Sequence, residues 1–478
     1  MVTFYPELPF SALSQLPVSD SAGADALYRK ALATFRRKVV VLDDDPTGIQ
    51  TVHGVNVYTR WDEESVLSGF EEKNGMFFIL TNSRSFTSEQ TETVHREIAE
   101  RVCAAARKTG KDFVLISRAD STLRGHWPLE TQMLAGTVEK VSGRRYDGEV
   151  LMPFFMEGGR YTIGNVHYVR DGNRLIPAGQ TEFAKDSTFG YVSSDLCQWC
   201  EEKTGGKFQV SDCVCIPLEE LRALDTEAVF RRLMGVKNFG KVIVNAACYD
   251  DVKVFCAAFL RALAEGKEFL FRTAAAWTKI LGGVEDRSLL SRSELVSGSG
   301  AGGVILVGSH VHKTTLQLED LRSSGLPVTF IEFDATQVSV PGGLEREVER
   351  TVALTEREIE AGRTAAVYTT RKRIDFSELE PEQRLLQSVA ISDAVTSIVG
   401  KLRVQPSFIV AKGGITSSDV GTKALGVRKA EVLGQIMPGI PVWKTGPESK
   451  FPGMSYVIFP GNVGETTTLT AAVRVLLG

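Results

Sequence analysis

This sequence lacks long apolar runs, and its start lacks the basic residues of a secretory signal. None of its apolar runs approaches the about 20 residues that span a bilayer, so we expect no membrane-spanning helix. The N-terminal region has Glu7 but no Lys or Arg ahead of its apolar residues, which predicts that it is not a signal peptide. We therefore expect a cytoplasmic protein whose seven cysteines are reduced thiols.

The sequence also lacks an excess of positive charge. Its formal net charge of -4 gives no overall attraction for nucleic acid or an anionic membrane, although a local basic pocket is compatible with it. The 43% apolar and 24% charged residues are typical of a globular protein, and 478 residues predict two or three domains. We expect no nucleic-acid or membrane partner, and a homo-oligomer stays open.

Convincing sets of metal ligands are missing. Cys197 and Cys200 have the spacing of a zinc-binding pair. A single residue separates Cys213 from Cys215, however, which is tight for two ligands of one tetrahedral ion. The cysteines are therefore predicted to be buried or incidental thiols, and no metal-ligating residues are predicted.

Familiar nucleotide-binding motifs are absent or misplaced. Lys313 stands where a P-loop that starts at Gly308 would need its second Gly, and kinase catalytic-loop motifs are missing. The string Gly298-x-Gly300-x-x-Gly303 precedes an apolar run, whereas a dinucleotide fingerprint follows a strand. Its Ser and Gly content predicts a flexible linker instead. An ATP site in this chain must therefore use a different phosphate cradle.

Three polar loops are present, and each directly follows a short apolar run. The runs predict buried parallel strands, and their alternation with helical patterns predicts an α/β fold. We expect two α/β domains, each with a mostly parallel central sheet flanked by helices. The predicted divisions are an N-terminal arm (1–38), a first domain (39–290), a linker (291–303) and a second domain (304–478). Ligands of such sheets bind beyond the carboxyl ends of the strands, where these loops lie.

The first loop contains three consecutive carboxylates, Asp43, Asp44 and Asp45, followed by Pro46-Thr47-Gly48. Adjacent carboxylates repel one another, so such a site favours a cation or the uptake of a proton. One hypothesis is a general base for a substrate hydroxyl, or an acceptor of hydrogen bonds from polyol hydroxyls. The alternative is a solvated turn in which Asp side chains bind nearby amides.

The second loop, Arg118–Gly125, crowds guanidinium, carboxylate and hydroxyl groups together. Arg forks match a carboxylate with two hydrogen bonds, which favours an anionic substrate. Arg84 follows another apolar run and would converge on the same edge of the sheet. The alternative is a structural Arg–Asp pair beside a Ser/Thr helix cap. Glu157-Gly158-Gly159-Arg160 is either a further part of this site or only a turn.

The third loop, Gly413-Gly414-Ile415-Thr416, opens a predicted helix. Backbone N–H groups that glycine frees at a helix N-terminus form a phosphate nest. Gly308-Ser309 and Gly461-Asn462-Val463-Gly464 lie at two other strand ends in the same half of the chain. We therefore predict a nucleotide phosphate site here, with ordinary strand-to-helix turns as the alternative.

Together these motifs resemble a known family. They are, in chain order, Asp44-Asp45-Pro46-Thr47-Gly48, Asp120-Ser121-Thr122-Leu123-Arg124-Gly125, Glu157-Gly158-Gly159-Arg160, Gly413-Gly414-Ile415-Thr416 and Pro460-Gly461-Asn462-Val463-Gly464. From about Val39 onward the chain resembles the four-carbon acid sugar kinase family, formerly a family of unknown function. The resemblance implies an N-terminal α/β domain that binds a sugar acid and a C-terminal one that binds ATP. It implies phosphorylation of the terminal hydroxyl of threonate, erythronate or 3-oxo-tetronate.

The resemblance also implies roles for single residues. It assigns the substrate to Asp45, Asp120, Arg84, Arg124 and Arg160, and the nucleotide to Ser309, Gly413, Gly414, Thr416 and Gly461. Our prediction makes Asp45 the base, with Asp120 as the second choice, and includes ATP and Mg²⁺ as cofactors. It adds Asp44, Arg118, Ser121 and Gly125 to the substrate set, and Ile415, Asn462 and Gly464 to the nucleotide set. The alternatives are a nucleotide-dependent ligase that activates an acid and a non-catalytic ligand sensor.

Overall fold

The computed structural model describes residues 4–296, 298, 300–371, 380–461 and 463–478. The chain divides into two compact units. The first comprises Met1–Val52 and Arg60–Asp286, and the second comprises His53–Thr59 and Arg287–Gly478. None of the described helices is long and apolar enough to cross a membrane.

Runs rich in β-branched and aromatic residues form most of the strands, because such side chains pack well on a buried pleated surface. The strands of the described residues are, in chain order, β1 (Leu8–Pro9), β2 (Lys38–Asp43), β3 (Asn56–Tyr58), β4 (Met76–Leu80), β5 (Phe113–Arg118), β6 (Gly148–Met152), β7 (Arg160–Ile163), β8 (Val166–Asp171), β9 (Arg174–Pro177), β10 (Val214–Ile216), β11 (Gly240–Val244), β12 (Phe269–Thr273), β13 (Val304–Val307), β14 (Val328–Phe333), β15 (Thr364–Thr369), β16 (Phe408–Lys412), β17 (Lys429–Met437), β18 (Ile440–Thr445) and β19 (Ser455–Phe459).

Segments with an apolar face form most of the helices, and several of them begin at a side-chain cap, such as Asp20, Asp62 and Thr87. The α-helices of the described residues are α1 (Ser21–Leu32), α2 (Glu63–Glu71), α3 (Ser88–Thr109), α4 (Leu129–Ser142), α5 (Leu196–Lys203), α6 (Leu218–Arg222), α7 (Thr226–Gly235), α8 (Tyr249–Ala264), α9 (Ala275–Leu281), α10 (Arg292–Leu295), α11 (His312–Ser323), α12 (Gly343–Glu360), α13 (Pro381–Lys401), α14 (Gly414–Asp419) and α15 (Thr468–Leu477). A π-helical turn, Val420–Ala424, follows α14 directly. Among the short 3-10 helices, the one at Ser83–Ser85 follows β4.

The first unit contains a parallel sheet with the strand order β10-β11-β6-β12-β5-β2-β4. Each pair of neighbours in it is parallel. Every residue of β2, β4 and β5 is buried, as expected for strands that helices cover on both faces. A separate antiparallel sheet, β1-β9-β8-β7, also belongs to this unit.

The second unit contains a mixed sheet with the order β3-β17-β18-β19-β16-β13-β15-β14. The pairs from β19 to β14 are parallel, whereas β3, β17, β18 and β19 pair antiparallel. Its core packs Ile305, Val307, Val410 and Val457 against α15 through Leu469 and Val473. The α/β class, with a mostly parallel sheet flanked by helices in each unit, is confirmed.

The structure contains a helix within the predicted arm (1–38) and another within the predicted linker (291–303). Within the predicted arm, α1 joins the first unit, where Asp25 forms an ion pair with Lys253 at 2.6 Å. Within the predicted linker, α10 forms because Ser291 and Glu294 make a capping box. The described part of residues 291–303 is therefore partly helical.

Candidate functional site

Two arginines hold the three carboxylates that follow β2. Asp43 ends β2 in register with Arg118, which ends β5. Arg118 Nη1 donates to Asp43 Oδ1 at 3.0 Å and to Asp45 Oδ1 at 3.3 Å. Arg84 donates to both oxygens of Asp44, at 3.1 and 2.7 Å, and its Nη1 lies 2.6 Å from Asp45 Oδ2. These ion pairs offset the mutual repulsion of the carboxylates.

Burial and the arginines give the three carboxylates different pKa values. Burial raises the pKa of Asp43 to about 8 and that of Asp44 to about 6. Burial acts the same way on Asp45, but Arg84 and Arg118 outweigh it and lower the pKa of Asp45 to about 2. The Asp45 side chain is 22% exposed, against 1% for Asp43 and 2% for Asp44. At neutral pH Asp45 is therefore the ionised and accessible carboxylate of the three, whereas Asp43 keeps a proton.

The second loop is organised around Asp120. Arg124 Nε donates to Asp120 Oδ2 at 2.8 Å, and the Thr122 hydroxyl donates to the same oxygen. Burial works against ionisation, but Arg84 and Arg124 hold the pKa of Asp120 far below its usual range. Asp120 is therefore a second ionised carboxylate at this edge of the sheet.

The backbone of this loop passes close to the first loop. Gly125 has a φ of +119°, and a Cβ at this position would lie 3.6 Å from Asp44 Oδ2. A residue with a side chain is strained at such a φ, so the position favours glycine. Ser121 is buried, and its carbonyl oxygen lies 2.8 Å from His167 Nε2. Gly125 and Ser121 thus contribute to the shape of the loop.

One guanidinium group at this edge of the sheet lacks an ionic partner among the described residues. Arg160 forms no ion pair within the described ranges, and its Nε has no hydrogen-bond partner there. The guanidinium groups of Arg124 and Arg160 lie over the ring of Phe183, at 5.1 and 5.5 Å from its centre. The arrangement suits an anionic ligand.

Phe183 and Arg272 were not predicted from the sequence as residues of this site. Phe183 lies far along the chain from the Arg-containing motifs and follows no strand-like run, so no sequence signal could have identified it. Arg272 follows the short apolar run Phe269-Leu270-Phe271, which is the signal that identified the other loops. It lies on β12, next to β5 in the sheet.

The three aspartates do not fit a metal ion that they alone would hold. Asp43, Asp44 and Asp45 form the one group of three possible metal ligands that lie within 4.8 Å of one another in the described part of the chain. Arg84 and Arg118 already bind these oxygens, which disfavours a cation bound by the trio alone. Mg²⁺ suits a site with few protein carboxylates and several phosphate oxygens, so it would have to come with a nucleotide.

In the second unit, three glycine-containing loops lie side by side. β13 and β19 flank β16, so the loops that follow these strands are neighbours. A Cβ at Gly308 would collide with the Thr416 hydroxyl, and a Cβ at Gly461 would lie 3.4 Å from Ser309 Oγ. The predicted residues Ser309, Gly413, Gly414, Ile415, Thr416 and Gly461 are thereby brought together. Gly464 lies farther on, before α15, and Asn462 lies outside the described residues.

The turn at Gly413 starts α14. Gly413 has a φ of +128°, a conformation that favours glycine, and its N–H donates to the Phe459 carbonyl at 2.9 Å. The first N–H groups of a helix have no partner within the helix, and they carry a partial positive charge. Apart from the chain neighbours and the backbone of its own helix, no described residue lies within 4 Å of a Cβ built at Gly414, and Ile415 is 70% exposed. The start of α14 therefore faces open space and can accept a phosphate group.

Two cations hold these loops in place. Lys412 is fully buried, and its Nζ donates to the carbonyl oxygens of Pro460 and Gly461 at 2.9 and 3.4 Å. Burial lowers the pKa of Lys412 to about 7. Arg371 Nη1 donates to the Ser309 carbonyl at 2.8 Å. Arg371 was not predicted from the sequence, although it follows the short apolar run Ala365-Ala366-Val367-Tyr368.

Comparison with known proteins shows which domains this chain contains. The family model of a sugar-binding N-terminal domain matches residues 39–281, and that of a nucleotide-binding C-terminal domain matches residues 304–469. A search of curated proteins finds no match to this chain.

Two solved structures share the fold. One is protein HI1011 of Haemophilus influenzae, of the DUF1537 family, with 17% identity and a TM-score of 0.61 over 91% of this chain and 100% of that chain. The other is a Salmonella typhimurium LT2 protein named as a candidate tRNA synthase, with 16% identity and a TM-score of 0.64 over 91% of this chain and 99% of that chain. At these identities the likeness concerns the fold alone.

Proposed function

This chain belongs to the four-carbon acid sugar kinase family, and from this premise we propose that it transfers the γ-phosphoryl group of ATP to a short sugar acid. The acceptor is the terminal hydroxyl of threonate, erythronate, 3-oxo-tetronate or a similar acid. The observation that carries the proposal is the presence of an ionised, accessible carboxylate, Asp45, together with a guanidinium group, Arg160, that has no ion pair among the described residues.

The carboxylate of the acid is assigned to Arg160 and Arg124. Arg160 has no ion pair within the described residues, so its charge is available to a ligand. Arg124 shares its charge with Asp120, and both guanidinium groups are held by the Phe183 ring. Arg84 and Arg118 are engaged by the three aspartates, and we assign them to positioning Asp45. Asp44 contributes to this positioning because it binds Arg84 and so holds that guanidinium group in place.

Asp45 is assigned as the acceptor of the hydroxyl proton. The bond from the hydroxyl oxygen to the γ-phosphorus forms, the bond from this phosphorus to the β–γ bridging oxygen breaks, and ADP leaves. A carboxylate with a pKa of about 2 is a weak base. It takes the proton late, when the bond to phosphorus has made the hydroxyl acidic, and before that it orients the hydroxyl. Asp120 is the second choice, because it is also ionised but its side chain is 11% exposed, against 22% for Asp45.

ATP is assigned to the second unit. The N–H groups at the start of α14 and the Ser309 and Gly461 loops would bind its phosphates, and Lys412 and Arg371 position these loops. Mg²⁺, bound to those phosphates, would supply charge neutralisation.

Release of ADP with a panel of four-carbon acids tests the proposal. Acid-dependent formation of ADP with threonate, erythronate or 3-oxo-tetronate supports a kinase. AMP and pyrophosphate with an acyl product would support an acid-activating ligase instead, and binding without turnover would support a sensor. A cytoplasmic location and a homo-oligomeric state stay predictions.

A further inference from the structure

Arg272 is a fully buried cation beneath the loop Arg118–Gly125. It lies on β12, in register with Ser117 of β5 and Leu151 of β6, and its side chain has no exposed surface. Its Nη2 donates to the Arg124 carbonyl oxygen at 3.2 Å. Its guanidinium group lies 5.4 Å from the ring centre of Trp199. Arg272 thus touches the backbone of the predicted acid-binding loop from inside the protein.

Arg272 has no ionic partner. It forms no ion pair with any residue that the structure describes, and its Nε and Nη1 have no hydrogen-bond partner there. Other buried cations of this unit have more partners, since Lys241 binds Glu149 at 2.6 Å, Arg118 binds Asp43 at 3.0 Å and Lys38 donates to the Glu72 and Asn74 carbonyls. An unpaired buried charge is strongly unfavourable. An arginine at this costly position therefore indicates that the function of the protein requires its positive charge.

The negative charges that act on Arg272 belong mainly to the site. Burial disfavours its charge and lowers its pKa, and Asp120 is the carboxylate that opposes this effect most, followed by Asp44. Asp120 is itself bound to Arg124, whose carbonyl Arg272 holds. Arg272, Arg124 and Asp120 therefore form one connected group. A carboxylate ligand bound to Arg124 and Arg160 would bring a further negative charge to it.

We propose that Arg272 is a positioning and specificity residue for an anionic substrate. It fixes the Arg124 carbonyl, and its uncompensated positive charge favours an acid over a neutral polyol of the same length. This inference rests on the proposed function, because it assumes that a short sugar acid binds at Arg124 and Arg160.

The test compares Arg272→Gln with Arg272→Lys in the full chain. Both replacements keep an N–H donor for the Arg124 carbonyl, but only Lys keeps the charge. Arg222→Gln is the matched control, because it removes another buried arginine of the same unit that contacts Asp251 rather than the loop. We would measure KM and kcat for the acid, KM for ATP, and dissociation constants for the acid and the corresponding neutral polyol.

We expect Arg272→Gln to raise KM for the acid about 10-fold or more, the scale of losing a charge-assisted interaction. KM for ATP and the weak binding of the polyol should stay unchanged, so discrimination between acid and polyol should fall. Arg272→Lys should retain most of this discrimination, and Arg222→Gln should retain all of it.

Two outcomes separate this inference from the proposed function. If the wild-type chain binds the acid and Arg272→Gln binds it equally well, the role of Arg272 is wrong while the kinase proposal stands. If the wild-type chain neither binds nor phosphorylates any short sugar acid, the proposed function is wrong and this inference falls with it. If Arg272→Gln does not fold, Arg272→Lys decides, because a loss of discrimination in that variant would contradict a role of the charge.

Discussion

At the scale of single residues, neighbouring carboxylates differ in protonation and access. Asp43 and Asp45 are two positions apart, yet one is buried with a raised pKa and the other is partly exposed with a lowered one. The sequence predicted a cluster of carboxylates, but it could not predict which member is ionised. That depends on Arg84 and Arg118, which come from other strand ends.

Asp45→Asn should lower kcat by about 100-fold or more while binding of ATP is retained, because the general base is lost. Asp43→Asn is the matched control. A protonated carboxyl and an amide are similar in shape and charge, so its loss of kcat should be less than about 10-fold. Near-normal kcat in Asp45→Asn, or equal losses in both variants, would contradict the assignment of the base.

The raised pKa of Asp43 predicts how stability depends on pH. In the unfolded chain Asp43 titrates near 3.8, and in the folded chain near 8. Between these values the folded state keeps a proton that the unfolded state has lost, so stability falls as pH rises. The lowered pKa values of Asp45 and Asp120 make stability depend on pH only near and below 3.8, outside this pH range. The Tm of the wild type should therefore fall more steeply from about pH 5 to about pH 8 than that of Asp43→Asn. Parallel curves in thermal melts would contradict a protonated Asp43.

Arg124→Lys keeps a positive charge but loses the Nε bond to Asp120 and the planar fork. KM for the acid should rise by about 10-fold, and KM for ATP should stay unchanged. Arg144→Lys is the control, since Arg144 contacts Asp112 and the Phe113 ring, at the other end of β5. A rise in KM for ATP would place Arg124 on the phosphate side of the reaction.

At the scale of elements, apolar runs identified the central parallel strands but not the antiparallel ones. β17 alternates buried with partly exposed residues, because only one of its faces is well covered, and no continuous apolar run marks it. The short strands β7, β8 and β9 were missed too, and β8 combines buried and exposed residues. The sequence predicted that the glycine loop stands at the start of a helix, and α14 does begin at Gly414. The glycine with a positive φ is Gly413, the residue just before the helix.

Gly414→Val tests the phosphate site at α14. The fold should tolerate it, because no described residue other than the chain neighbours and its own helix backbone lies within 4 Å of the new Cβ. The side chain would occupy the space where a phosphate approaches in the proposed site. ATP affinity should fall by about 2 kcal/mol or more, the scale of a lost charge-assisted hydrogen bond, as measured by calorimetry on the full chain. Gly136→Val in α4 also meets open space and should leave ATP affinity unchanged. Equal affinities in both variants would remove α14 from the nucleotide site.

At the scale of the whole molecule, the sequence predicted two α/β domains but not the path of the chain. Residues His53–Thr59 belong to the second unit, where β3 pairs with β17, and the Gly54 N–H donates to the Val432 carbonyl at 2.8 Å. A three-residue strand whose partner lies far along the chain has no periodicity that would identify it. The loops of each predicted site, by contrast, could be grouped in advance, since carboxyl ends of parallel strands share one edge of a sheet.

Product analysis shows whether this chain phosphorylates a short sugar acid. The purified chain would be incubated with ATP, Mg²⁺ and each four-carbon acid, and the products identified by mass spectrometry and phosphorus NMR. One ADP should form for each phosphorylated acid, with the phosphate as an ester on the terminal hydroxyl, and Asp45→Asn should form this product at least about 100-fold more slowly. An acyl phosphate, AMP with pyrophosphate, or ADP formed without a phosphorylated acid would contradict the proposed function.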